Sequence, residues 1–62
     1  MSDSAFMKIV DYNRQRHNIT VQRFCDDVGM DKKDYEYYMR GIKTMHPPTV
    51  LRIVKYFGLD AF

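Results

Sequence analysis

The sequence predicts an all-α fold of four or five short helices, and three observations carry that prediction. Apolar side chains recur at helical spacing in four separate stretches, no stretch alternates as a strand would, and the breaks between stretches fall on Asn, Gly or Pro. The chain has 62 residues, 45% of them hydrophobic and 15% aromatic, and is expected to form one domain, residues 1–62, around one small core. A chain this short buries only about 60% of the surface its unfolded form exposes. Its four Phe and five Tyr therefore matter, because each covers a large area at once. That content also argues against low-complexity disorder.

The first helix is read from "SDSAFMKIVDYNRQRHN", in which Phe6, Ile9, Val10 and Asn13 fall on one face. Ser2, Asp3 or Ser4 is placed to cap its start. Arg16 and His17 put positive charge at its carbonyl end, and Asn18 is a left-handed stop. Thr20 is the next N-cap. Val21, Phe24, Cys25 and Val28 follow at i, i+3, i+4 and i+7, the mark of an amphipathic helix, and Gly29 ends it with the positive φ a sharp turn needs. Asp31 caps a third helix, "KKDYEYYMR", with Tyr35, Tyr38 and Met39 inward and Lys32, Lys33, Glu36 and Tyr37 outward. Gly41 closes it. "IKTMHPP" is a loop, and Pro47 and Pro48 suit the first turn of a fourth helix. In that helix Val50, Leu51, Val54 and Phe57 are expected to face inward, with Gly58 as the stop. "LDAF" is room for one more turn.

Several function classes are excluded or made unattractive by the same residues. One cysteine permits no disulfide within the chain, which suits a reducing cytosol. No apolar run approaches the ~18 residues of a membrane span, and the N-terminus carries acid where a signal peptide needs base, so the expected location is cytoplasmic, away from membranes. Catalysis is not expected. Cys25 has no histidine near it in sequence and occupies a position that reads as buried. Asp26 and Asp27 are adjacent on a helix and point apart. His17, His46 and Cys25 show no metal-ligand spacing, and no glycine-rich phosphate loop is present. No cofactor is implied. The net charge of +2 permits a nucleic-acid partner without requiring one.

Across about fifty residues, Val10 to Leu59, the chain resembles the Cro/repressor-type (XRE-like) helix-turn-helix domains of phage and bacterial regulators. The positions that carry the resemblance, without an insertion, are Thr20, Phe24, Cys25, Gly29, Met30, Asp31, Tyr35, Tyr38, Arg40, Gly41, Leu51 and Val54. It implies a compact lambda-repressor-like helix-turn-helix domain and a small sequence-specific transcriptional regulator that binds double-stranded DNA. The chain departs from the usual pattern at Asn18, in place of a common glycine, and at four further positions. Val21 stands where many relatives have a phosphate-touching glutamine, Met39 stands where an acid commonly pairs with the first-helix arginine (Arg14 here), and Asp34 and Glu36 add acid to the reading helix.

In such domains the second helix of the motif lies in the major groove. The resemblance thus assigns base reading to Lys32, Lys33, Glu36 and Tyr37, within the helix Lys32–Arg40. Lysine donates to guanine O6 and N7, and a carboxylate accepts from cytosine N4. Phosphate contacts fall to Thr20, Gln22, Arg23, Arg40, Lys43 and Thr44, which flank the reading helix and would make affinity salt-dependent. One domain covers a half-site, so a homodimer is expected, with Tyr56, Leu59 and Phe62 as interface candidates. The alternative is the same scaffold used as a protein-interaction module that binds a repressor, polymerase or host protein rather than DNA. Val21 and the acids favour that alternative.

Overall fold

The computed structural model describes residues 3–58. These form four α-helices: α1 (Asp3–Arg16), α2 (Val21–Val28), α3 (Lys32–Arg40) and α4 (Pro47–Phe57). No strand occurs among the described residues, and the turn expected from "LDAF" lies outside them.

The helix ends follow local chemistry. Asn18 takes φ 54° and is the non-glycine residue with positive φ among those described. Beside it the Ile19 N–H donates to the Arg14 carbonyl at 3.0 Å, closing α1. The Thr20 hydroxyl accepts from the Arg23 N–H at 3.1 Å and caps α2. Gly29 takes φ 71°, and the Met30 N–H bonds back to the Cys25 carbonyl at 2.8 Å. Asp31 occupies the N-cap position of α3, but its side chain makes no cap bond; the turn is held by backbone geometry instead. Gly41, at φ 73°, ends α3 where an added Cβ would lie 3.7 Å from the Ser4 Cβ, so this end of α3 runs beside the first turn of α1. Pro47 and Pro48 open α4, where the missing N–H groups would have no intrahelical acceptor.

α1 packs on α3, and α2 touches both α3 and α4. The buried core is Met7, Val10, Phe24, Cys25, Val28, Tyr35, Tyr38, Met45 and Ile53. Phe24 sits at its centre. Tyr35 and Tyr56 meet its ring edge-on at 5.7 and 5.4 Å, and Phe57 stacks on it at 5.6 Å, all within the range that favours aromatic pairs.

Two of the inward faces differ from the sequence reading by one residue. On α1 Met7 is buried and Ile9 is 42% exposed, because Met7, Val10 and Arg14 form the i, i+3, i+7 stripe that meets α3. On α4 Ile53 is buried and Leu51 is 58% exposed; Val50, Ile53, Val54 and Phe57 make the better-spaced stripe. Asn13 turns its amide to the Ile9 carbonyl of its own helix, on the exposed side. Tyr56 is half-buried and meets Phe24 edge-on, and Leu59 and Phe62 lie outside the described residues. No helix among the described residues is long and apolar enough to cross a membrane.

Candidate nucleic-acid interface

The candidate surface is the outward side of α2, the turn and α3. Its backing is a three-residue network that fixes α3 on α1. Tyr35 donates its hydroxyl to Asp11 Oδ1 at 2.5 Å, and Arg14 donates Nη2 to the same oxygen at 2.9 Å. Arg14 Nε reaches the Tyr35 oxygen at 3.1 Å, while its Nη1 bonds the Ile19 carbonyl at 2.7 Å, at the exit of α1. Gln15 donates to the other Asp11 oxygen at 2.7 Å. Burial pushes the Tyr35 phenol up, and its donation to Asp11 adds to this, to about 12. Burial alone would raise the Asp11 carboxyl, but the donors Tyr35, Arg14 and Gln15 hold it below its ordinary value. Asp11 and Tyr35 thus hold Arg14 in place, with Met39 taking no part. The i, i+3 spacing of Asp11 and Arg14 was a signal in the sequence; the arrival of Tyr35 from α3 was not.

Lys32, Lys33, Glu36 and Tyr37 are all exposed on α3, with Tyr37 at 41%. The same face carries a surface groove of about 590 Å³. Its apolar floor is Val21, Tyr35 and Met39, and its rim is Lys32, Lys33, Glu36 and Arg40. Tyr37 does not line it and stands on the neighbouring part of the helix. The groove brings together Val21 from α2 and Met39 from α3.

The residues assigned to phosphate contact are exposed too, but several are already paired. Gln22 donates to Asp26 at 2.9 Å. Arg23 bonds Asp27 at 3.1 Å, and Asp27 also accepts from the Tyr56 hydroxyl at 2.8 Å. The Tyr56 bond first, and Arg23 with it, hold the Asp27 carboxyl below its ordinary value. Lys43 bonds Asp34 at 2.9 Å, which raises its pKa, and lies 5.9 Å over the Tyr38 ring. Thr20 uses its hydroxyl as the α2 cap, Arg40 stands on the groove rim, and Thr44 is exposed in the loop before α4. Exposed pairs of this kind are weak and easily screened, so each cation is open to exchange for another anion.

No family model, curated protein or solved structure matches this chain. Among the described residues Lys32 and Lys33 are bonded to no acid, while Arg23 and Lys43 are each held by one carboxylate. Cys25 is buried, and burial pushes its thiol up, which keeps it protonated and a weak nucleophile.

Proposed function

We propose that the chain is a small sequence-specific DNA-binding regulator with a lambda-repressor-like helix-turn-helix fold, working in the cytoplasm. α3 enters the major groove and presents Lys32, Lys33, Glu36 and Tyr37 to base edges, while Thr20, Gln22, Arg23, Arg40, Lys43 and Thr44 approach the phosphates on either side. The observation that supports this most is the combination of a two-turn α2, a left-handed Gly29 and an α3 whose outward residues are exposed while Tyr35 and Tyr38 are buried beneath them. A helix held this way stands proud of the core, as groove insertion requires. A homodimer reading two half-sites is part of the proposal.

The test is selection from a randomised duplex library with the purified, folded protein at low salt. Enrichment of a motif is expected, and a palindromic motif would report the dimer. Lys33→Ala should then relax preference at one base position, by about 1–3 kcal/mol. A library that returns unenriched overturns the reading.

A second reading is favoured by a specific observation. Lys43 is bound to Asp34, and Val21 and Met39 give the groove an apolar floor. Both features suit a scaffold that binds another protein, such as a repressor, a polymerase or a host factor.

A further inference from the structure

We infer that the groove between the start of α2 and the outer side of α3 is a docking site for an acidic amphipathic helix of a partner protein. This rests on the second reading above, that the scaffold binds a protein. Three properties of the groove select the occupant.

Its floor is apolar: Val21, Met39 and the flank of Tyr35. Base edges offer little to such a floor beyond thymine methyls, whereas an amphipathic helix lays two or three apolar anchors into a groove of this kind. Its rim sets the charge. Lys32, Lys33 and Arg40 surround the floor against the single carboxylate of Glu36, so acidic flanks are favoured and basic ones repelled. Its length sets the size. From Lys32 to Arg40 the rim follows α3 over roughly 12 Å at 1.5 Å per residue, matching about two turns of a docked helix with anchors at i, i+3 and i+4. A volume of about 590 Å³ accommodates those side chains. Because Lys32, Lys33 and Glu36 belong both to this rim and to the base-reading set, an occupant of the groove covers the surface that would meet DNA, and the two ligands exclude each other.

The experiment displays three libraries of helical peptides of about 16 residues, roughly four turns, on yeast and sorts them against the full chain. All share apolar positions at i, i+3, i+4 and i+7; their flanks are Asp/Glu, Lys/Arg or Ser/Gln. The acidic library is expected to enrich and the basic one not. The clones recovered should lose about tenfold or more in affinity for Lys33→Glu and for Val21→Gln, with Leu51→Gln on α4 as an unaffected control. Folding of each variant is checked by circular dichroism, and Lys33→Glu alters only an exposed side chain. Equal enrichment of the basic or neutral library, or binding that survives Val21→Gln and Lys33→Glu, overturns the site and its chemistry while leaving a protein-binding scaffold. Failure of all three libraries overturns the inference and counts against that reading as well. If a selected duplex binds and an acidic clone displaces it, mutual exclusion is confirmed; simultaneous binding of both rejects the shared surface.

Discussion

At the residue scale the decisive side chain is Arg14. A guanidinium has five donors and needs planar acceptors; here it uses Asp11, the Tyr35 oxygen and the Ile19 carbonyl, so one side chain ties together α1, α3 and the chain leaving α1. The network titrates in a known direction. With the folded Tyr35 phenol at about 12 against an ordinary value of 10.0, the folded state holds this proton more tightly than the unfolded one. Its contribution to stability is therefore complete below pH 10 and is lost as the pH rises from 10 towards 12. Tyr35→Phe keeps the ring against Phe24 and removes the proton. Denaturation by urea across this range should show wild type losing its advantage over the variant, after a difference at neutral pH of about 1–3 kcal/mol. Parallel curves would mean that the phenol is not the linked group.

At the scale of elements, the turn between α2 and α3 depends on one conformation. Gly29 has room for a side chain, since an added Cβ would come no closer than 3.7 Å to an Arg52 side-chain nitrogen, so only its φ of 71° resists substitution. Gly29→Ala should cost about 1–2 kcal/mol, and Gly29→Asn less, as Asn18 already adopts this conformation nearby; thermal melts of the two variants give the comparison. Positions of this kind were legible in the sequence because they obey local rules: Thr20, Gly29, Gly41, Pro47 and Pro48 each act within a few residues. The rotation of a helix about its axis is not local. Ile9 and Leu51 were placed inward on spacing that also fitted their neighbours, and the choice of Met7 and Ile53 was made by what α3 and α2 present to them. The groove was illegible for the same reason. Nothing in the separation of Val21 and Met39 along the chain says that they share a floor. Pairing of Lys43 with Asp34 across the end of α3 was likewise beyond reach, although it alters the charge that the face presents.

At the scale of the whole molecule, two quantities are small and consequential. One is stability. A domain of this length has about 3–9 kcal/mol in all, and Phe24→Ala, which removes the ring that Tyr35, Tyr56 and Phe57 contact, should cost about 3–5 kcal/mol. A melting temperature well below that of wild type, or no cooperative transition at all, is the expected outcome, read by calorimetry. The other is net charge, +2, low enough for one acid to matter. Asp34→Asn frees Lys43 and should strengthen binding to duplexes of any sequence, steepening the dependence of log affinity on log salt by about 1; an unchanged slope would place Lys43 away from phosphate. The chain also carries a natural reporter of its own integrity. The Met45 amide belongs to a loop with no helical ladder, yet it donates to Asp3 Oδ2 at 2.7 Å and its residue is buried. Its exchange with solvent deuterium is therefore governed by a single event, the parting of the first turn of α1 from the segment before α4. Set beside the amides of α2, that one rate would tell whether the molecule opens at this seam while the rest stays closed, or comes apart all at once.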